Sequence, residues 1–153
     1  MNNTCHVKVK KLYPDAKLPT QGSAAAAGWD VYAYLPDHED FSTRGIAPHT
    51  TIKFHTGLAL ELEEGWVCCI YARSGLATKS GLAPANKVGV LDSDYRGELI
   101  VPLHNDLDDW GSVTHGDRIA QILFHPVPKV KWEEVEELSE TDRGEGGFGS
   151  SGK

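Results

Sequence analysis

This chain of 153 residues has few cysteines, no long apolar run and fewer basic than acidic side chains. Its three cysteines, Cys5, Cys68 and Cys69, form no CxxC pair, which speaks against a disulfide framework and against a cysteine-ligated zinc site. No apolar run approaches the roughly 20 residues that cross a bilayer. The first residues also lack the apolar centre of a signal peptide. We therefore expect a cytoplasmic protein that does not bind membranes.

Basic side chains are outnumbered, because 15 Lys and Arg stand against 22 Asp and Glu and give a net charge of −7. Nucleic-acid binding relies largely on cations that neutralise phosphates, so this balance argues against a nucleic-acid partner. A small anionic ligand is compatible with it, since a few local arginines and backbone N–H groups can bind one. The seven histidines show no HExxH or paired spacing, and no GxSxG motif is present.

Short strand-like segments separated by glycine and proline dominate the chain. They cover residues 6–12, 28–35, 50–62, 66–72, 86–91, 98–104, 118–125 and 130–135. A short helix is predicted from Ser74 to Lys79, and a second from Glu133 to Glu137. Many short strands with such punctuation indicate an all-β sandwich or barrel-like domain. The length fits one domain with a sizeable core.

The segment from Val88 to Val101 carries the clearest functional pattern. Two apolar runs flank the polar run Asp-Ser-Asp-Tyr-Arg at 92–96, which predicts a β-hairpin with chemistry at its tip. A plain turn favours glycine, asparagine or aspartate and has no need of tyrosine. The alternative is that Asp92 and Asp94 are turn residues and that Tyr95 packs against the core. This segment alone leaves both interpretations open.

Other charged groups lie inside strands or where strands begin and end. Asp30 interrupts an apolar strand, and a carboxylate there is costly unless it is paired, most simply with an arginine, or lies near a metal. The run Arg73–Gly75 ends one strand and opens the predicted helix, which suits a phosphate, although Ser74 could simply cap that helix. For Asp117 and Arg118 we favour a structural role.

The last eleven residues differ in composition from the rest of the chain. Residues 143–153 hold five glycines and one aromatic residue, and ordering them would cost about 1–2 kcal/mol of backbone entropy per residue. A disordered terminus is one interpretation. We favour a flap that orders over an anionic ligand, because Arg143, Phe148 and paired serines are unusual in a featureless linker.

Five motifs follow one another along the chain. They are Ala-Gly-Trp-Asp (27–30), Arg-Ser-Gly-Leu-Ala (73–77), Gly-Val-Leu-Asp-Ser-Asp-Tyr-Arg-Gly-Glu (89–98), Gly-Asp-Arg-Ile-Ala-Gln (116–121) and Arg-Gly-Glu-Gly-Gly-Phe-Gly-Ser-Ser-Gly (143–152). Together, in this order and at these spacings, they resemble the motifs of the homotrimeric dUTP diphosphatases, the dUTPases. The resemblance spans nearly the whole chain, and the set is far more specific than any one motif. One departure is Ala72, where proline commonly precedes Arg-Ser-Gly.

This resemblance implies a fold, an assembly and a reaction. The expected fold is a jelly-roll-like (β-clip) all-β core over residues 1–141, assembled as a homotrimer, with a flexible glycine-rich arm over residues 142–153 that closes over the active site. The implied reaction is Mg²⁺-dependent hydrolysis of dUTP to dUMP and pyrophosphate, at sites between subunits. Such an activity limits uracil incorporation into DNA and supplies dUMP for thymidylate synthesis.

The resemblance also implies roles for residues around the scissile phosphate. Asp92 would be the general base that activates water for attack on the α-phosphorus. Asp30 would act on the Mg²⁺ through water, in the second coordination shell. Asp94 and Arg96 would brace the hairpin or the trimer.

Substrate recognition would involve a larger set of residues. Tyr95 would pack against the deoxyribose and exclude a 2′-hydroxyl. Asn86, with backbone groups near Gly89 and Leu91, would read uracil through its donor and acceptor amide. The phosphates and the closing arm would use the remaining positions, which are Arg73, Ser74, Gly75, Gln121, Arg143, Phe148, Gly149, Ser150 and Ser151, with Phe148 stacked over the base.

Two rival functions fit the same fold. A dCTP deaminase, or a bifunctional relative, would need a different constellation around the base, and the Asp-Ser-Asp-Tyr run favours hydrolysis. A dUTPase-like binding or regulatory protein would not need the complete set of catalytic motifs. Hydrolysis is therefore the predicted function.

Overall fold

Short antiparallel strands make up most of this computed structural model, which describes residues 4–39 and 41–147. The elements are β1 Val7–Lys11, β2 Thr20–Gln21, β3 Trp29–Tyr32, β4 Thr43–Ile46, β5 Thr51–Leu62, β6 Trp66–Tyr71, α1 Ser74–Ser80, β7 Leu82–Pro84, β8 Gly89–Leu91, β9 Glu98–Asn105, β10 Gly111–Thr114 and β11 Arg118–Pro126. In the described part of the chain, no helix has the length and apolar character needed to cross a bilayer.

Two antiparallel sheets and a small ribbon are formed from these strands. One sheet has the order β1-β5-β9-β7 and the other the order β2-β3-β11-β6-β8, while β4 and β10 pair as the ribbon. Strands that follow one another in sequence repeatedly change sheet, so the two sheets cannot form as separate units. The all-β, jelly-roll-like prediction is confirmed.

The core lies between the two sheets and follows the period of two that strands impose on side chains. In β9, the side chains of Leu99, Val101 and Leu103 are buried, and the residues between them are partly exposed. From the other sheet, β11 contributes Ile119 and Ile122 to the same apolar cluster. Burying one such side chain contributes about 1.5–3 kcal/mol, so this cluster supplies much of the folding free energy.

A bulge in β5 determines where β9 begins. The β5–β9 register shifts between His55 and Ala59, and Gly57 adopts a φ of 70° at a point where a Cβ would lie 2.8 Å from the Cβ of Ala16. The carboxylate of Glu98 accepts from the Gly57 N–H at 2.7 Å and lies 2.7 Å from Nδ1 of His55. The first residue of β9 is thereby attached to β5.

The hairpin predicted around residues 92–96 is wrong. β8 pairs with β6 in the five-stranded sheet, whereas β9 pairs with β5 and β7 in the four-stranded sheet. Residues 92–97 therefore form a loop that crosses from one sheet to the other. Both apolar runs face the shared core, through Leu91 on one side and Leu99 on the other. Alternation in the sequence identifies this buried face but not the strand that each run pairs with.

Several other predicted elements need correction. The helix at Ser74 is confirmed, but the predicted strand 130–135 and the predicted helix 133–137 do not form. Val130, Trp132 and Leu138 are largely exposed, with Trp132 94% exposed. This segment alternates like a strand, but no strand of the chain pairs with it in the described structure. The strands β2, β4, β7 and β10 were not predicted, because each has two to four residues and lies outside the longer strand-like segments of the sequence.

Candidate active site

The loop between β8 and β9 opens onto a cavity of about 190 Å³. Five residues predicted to act on the base, sugar and α-phosphate line it together: Asn86, Gly89, Leu91, Asp92 and Tyr95. Its apolar floor comes from β6 and β9. The structure thus brings a carboxylate, an aromatic ring and a carboxamide around one small space.

Hydrogen bonds within residues 92–97 hold this loop in shape. The Tyr95 N–H donates to the Asp92 carbonyl at 3.2 Å. The guanidinium of Arg96 donates to the carbonyls of Ser93 at 2.7 Å and of Tyr95 at 3.1 Å. Arg96 therefore braces the loop, as predicted. The Asp92 side chain is exposed, so water can reach its carboxylate.

Gly89 permits close packing at the base of this cavity. A Cβ at this position would lie 2.9 Å from Cδ1 of Ile70 and 3.2 Å from Nδ2 of Asn86. The Asn86 carboxamide thus lies against the backbone of Gly89. A ligand in the cavity would meet side-chain and backbone hydrogen-bonding groups side by side.

A second polar cluster is centred on Asp30. Its Oδ1 accepts from Nε of Arg73 at 2.7 Å, and its Oδ2 accepts from Nη1 of Arg118 at 3.2 Å. The interpretation that Asp30 is paired with an arginine is therefore confirmed. The alternative that Ser74 caps the helix is wrong, because Arg73 occupies the N-cap position and Ser74 begins the helix.

Gln121 lies beside this cluster, in a cavity of about 680 Å³ lined also by Gly28, Asp30 and Lys87. Its Nε2 donates to the carbonyl of Ala72 at 2.9 Å, which holds the carboxamide next to the Arg73 turn. The predicted phosphate residues Arg73, Ser74 and Gly75 follow the end of β6, and Gln121 pairs with Tyr71, the last residue of that strand. Lys87, which the sequence did not single out, also lines this cavity and adopts a left-handed φ of 64° in the turn after Asn86.

One further group of side chains has the composition of a metal site. Asp15, His38 and His115 bring potential ligand atoms within 4.8 Å of one another. Nδ1 of His115 accepts from the Leu35 N–H at 3.2 Å, so Nε2 of the neutral ring carries the proton and cannot ligate a metal. The His38 and His115 rings are also stacked, with centroids 3.8 Å apart, which prevents both ring planes from containing one ion. This geometry favours a structural role.

The model of the family described as dUTPase matches residues 14–152. This chain belongs to the dUTPase family. It is 46% identical over 153 residues to the deoxyuridine 5′-triphosphate nucleotidohydrolase of Desulfitobacterium hafniense, with 98% of each chain covered. It is 44% identical over 149 residues to the protein of that name from Syntrophotalea carbinolica, covering 97% of this chain and 98% of the relative. The family predicted from the five motifs is confirmed.

Solved dUTPase structures share the fold of this dUTPase chain. A mutant dUTPase of Staphylococcus bacteriophage 80alpha, solved with dUpNHpp, aligns with a TM-score of 0.84 at 26% identity and covers 97% of this chain and 99% of its own. A mutant dUTPase from phage phi11 of S. aureus, described with a structural Mg(II) ion, aligns at 0.76 with 20% identity. It covers 88% of this chain and 99% of its own.

The two candidate clusters of this dUTPase chain lie in different cavities. Ile70 lines the cavity at Asp92, whereas its neighbour Tyr71 lines the cavity at Asp30 and Gln121. Successive residues of a strand point to opposite faces of the sheet, so β6 separates the two cavities. Within residues 4–39 and 41–147, one chain therefore does not bring Asn86 and Asp92 into a common cavity with Asp30 and Gln121.

The glycine-rich segment is described only in part. Nε of Arg143 donates to the carbonyl of Gly146 at 2.8 Å, and the Gly144 N–H donates to the carbonyl of Thr141 at 3.0 Å. Arg143 therefore takes part in a local turn. The predicted contacts of Phe148, Gly149, Ser150 and Ser151 lie outside the described residues.

Proposed function

We propose that this protein hydrolyses dUTP to dUMP and pyrophosphate, with Asp92 as the general base. The observation that carries the proposal is the single cavity that Asn86, Gly89, Asp92 and Tyr95 line. Its groups match a uracil edge, a deoxyribose and an α-phosphate in turn. The names of the relatives, deoxyuridine 5′-triphosphate nucleotidohydrolases, support this substrate.

Asp92 would take a proton from a water molecule as that water attacks the α-phosphorus. Its carboxylate is exposed at the rim of the cavity, so water has access to it. A carboxylate is a weak base, and most of the acceleration must therefore come from positioning and from neutralising charge on the phosphates. Arg96 contributes to positioning, because it holds the backbone of the loop that carries Asp92.

Specificity for a deoxyuridine would arise from Asn86 and Tyr95, which line the same cavity. The Asn86 carboxamide offers a donor and an acceptor to O4 and N3–H of uracil. Cytosine reverses that pattern and would leave buried groups unpaired, at about 1–3 kcal/mol each. The ring of Tyr95 would occupy the space that a 2′-hydroxyl needs.

The phosphates would bind at the second cluster, where Arg73 immediately precedes α1 and Gln121 is hydrogen-bonded to the carbonyl of Ala72. Backbone N–H groups of the first turn of α1, at Ser74 and Gly75, have no helical partner and can donate to phosphate oxygens. Both oxygens of Asp30 already accept from arginines, so this carboxylate suits a water of Mg²⁺ better than the ion itself. Mg²⁺ would be held mainly by phosphate oxygens and would neutralise their charge when bound.

We infer a homotrimer whose active sites lie between subunits. A second copy would bring the Asp92 cavity of one chain to the Asp30 cluster of another, which one chain alone keeps in separate cavities. The exposed apolar side chains of Val130, Trp132 and Leu138 support burial against another copy. Residues 142–153 would form the arm that closes over the substrate, with residues 1–141 as the core.

We also infer a cytoplasmic location. All three cysteines are free thiols, with Cys68 buried and Cys5 and Cys69 partly buried. Disulfides are rare in reducing compartments, so free thiols are compatible with the cytosol. Fractionation of the native cells, with detection of the protein by antibody, tests this location.

The test is pyrophosphate release from dUTP, dCTP, dTTP and UTP, with and without Mg²⁺. We expect Mg²⁺-dependent release from dUTP alone. Asp92→Asn should abolish turnover while keeping affinity for dUpNHpp, whereas the matched variant Asp94→Asn should stay active. Ammonia released from dCTP would instead identify a deaminase, and binding without any turnover would identify a regulatory protein.

A further inference from the structure

We propose that Arg118 is a positioning residue for triphosphate recognition, acting through Asp30 on the guanidinium of Arg73. Arg118 would hold Asp30 in place and offset its charge, and Arg73 would then present its remaining donors to the phosphates. This inference rests on the proposed function and assigns to Arg118 a role beyond a purely structural contact.

Three elements meet at this cluster. Asp30 lies in β3, Arg118 begins β11, and Arg73 occupies the N-cap of α1. Asp30 accepts at 2.7 Å from Nε of Arg73 and at 3.2 Å from Nη1 of Arg118. Nη1 of Arg73 also donates to the backbone carbonyl of Arg118, at 3.3 Å. Arg73 is thus held by the side chain of one residue and by the backbone of the other.

A β-bulge places Arg118 on the correct face for this contact. Arg118 precedes Gln121 by three residues, and in a regular strand an odd separation would put the two side chains on opposite faces. The register of β11 against β3 shifts between Arg118 and Ala120, so that Arg118 pairs with Tyr32 and Gln121 pairs with Asp30. Tyr32 and Asp30 are two residues apart and share a face. The bulge thereby re-aims the Arg118 side chain toward Asp30.

The contacts on Arg73 leave a defined edge of its guanidinium for a ligand. A guanidinium carries five N–H donors in one plane. Nε and Nη1 each donate once within the cluster, which leaves three N–H groups, two of them on Nη2. The two contacts fix the plane of the Arg73 guanidinium. Its free N–H groups can then donate paired hydrogen bonds to phosphate oxygens.

The charge of the cluster also depends on Arg118. A pair of Asp30 and Arg73 alone would be neutral, whereas two guanidinium groups and one carboxylate carry a net charge of +1. The Asp30 side chain is only 13% exposed, and that of Arg73 only 25%. Their interactions are therefore screened by water less than those of surface charges. Arg118, at 50%, faces solvent and supplies the additional positive charge.

Steady-state kinetics on Arg118→Gln and Arg118→Lys test the proposal. For Arg118→Gln we expect KM for dUTP to rise about tenfold or more, because a charge-assisted contact is lost. Inhibition by deoxyuridine, which has no phosphate, should stay within about twofold. Arg118→Lys should recover part of the loss, because it keeps the charge. The matched control is Arg44→Gln, which removes another exposed arginine paired with an aspartate.

A double-mutant cycle separates positioning from general damage. If Arg118 acts through Arg73, Arg118→Gln should weaken dUpNHpp binding much less in the Arg73→Gln background than in the unaltered protein. Fully additive losses, or an unchanged KM in Arg118→Gln, would overturn the proposal. If Arg118→Gln does not fold, the same comparison is made with Arg118→Lys, alone and combined with Arg73→Gln. Absence of dUTP turnover in the unaltered protein would instead overturn the proposed function.

Discussion

The ring of Tyr95 lies directly against the backbone of Gly97. A Cβ at Gly97 would come within 3.0 Å of Cε2 of that ring and closer still to its hydroxyl group. The hydroxyl group donates to the carbonyl of Glu98 at 3.2 Å. The ring is therefore held by this hydrogen bond as well as by its packing against Gly97. The orientation of Tyr95 therefore depends on the absence of a side chain at position 97.

Replacing Gly97 by alanine should displace the ring and weaken discrimination against ribose. We expect the ratio of kcat/KM for dUTP over UTP to fall about tenfold, which corresponds to about 1.4 kcal/mol. Tyr95→Phe keeps the ring and removes only the hydroxyl group, so its ratio should change much less. An unchanged ratio in Gly97→Ala would mean that the sugar is sensed elsewhere.

Gly28 is expected to control the position of Gln121. A Cβ at Gly28 would lie 2.6 Å from Oε1 of Gln121, so Gly28→Ala must shift that carboxamide and strain its hydrogen bond to Ala72. We expect KM for dUTP to rise about five- to tenfold, since losing one neutral hydrogen bond costs about 1 kcal/mol. In a Gln121→Ala background, Gly28→Ala should have no further effect on KM. A full effect in that background would assign Gly28 a separate role.

Replacement by alanine should affect stability at Asn105 and substrate binding at Asn86. Asn105 is fully buried, and its side chain bonds to the carbonyls of Ile46 and Asp109 and to the N–H of Leu107. Asn105→Ala leaves these groups unpaired and should lower the unfolding free energy by about 2–4 kcal/mol. Asn86→Ala, at an exposed position, should change it by less than about 0.5 kcal/mol yet weaken dUTP binding. Urea denaturation measures the unfolding free energy of both variants, and an equal loss of unfolding free energy in the two would contradict this distinction.

The pH dependence of stability should depend on His115. Burial, followed by the neighbouring His38 and Lys17, lowers the pKa of His115, and Asp15 only partly opposes this. The unfolded chain, with a histidine pKa of about 6.5, then binds the proton more readily than the folded chain. This stability is present above about pH 6.5 and is lost as the pH falls through the lowered pKa.

His115→Asn tests this relationship, because its side-chain oxygen can still accept from the Leu35 N–H. We expect the unfolding free energy of this variant to fall less between pH 7.5 and pH 5.5 than that of the unaltered protein. Urea denaturation of both proteins at both pH values gives the comparison, and an equal loss of unfolding free energy in the two would refute the role of His115.

The amino-acid sequence by itself determined the family and the strand-rich fold, and it suggested the residues that we propose carry the chemistry. These properties lie in short local runs, such as Asp-Ser-Asp-Tyr-Arg at 92–96 and Arg-Ser-Gly at 73–75, whose composition is visible without any partner. The buried face of β9 was predictable for the same reason, since its strict alternation is a local property.

Only the tertiary structure decided which segments pair and which side chains meet. The loop at Asp92 crosses between sheets, the bulge before Ala120 turns Arg118 toward Asp30, and Lys87 shares a cavity with Gln121. Each of these depends on contacts between residues far apart in the chain. A strand is compatible with many partners, so its register and neighbours follow from packing the whole core and not from its own sequence.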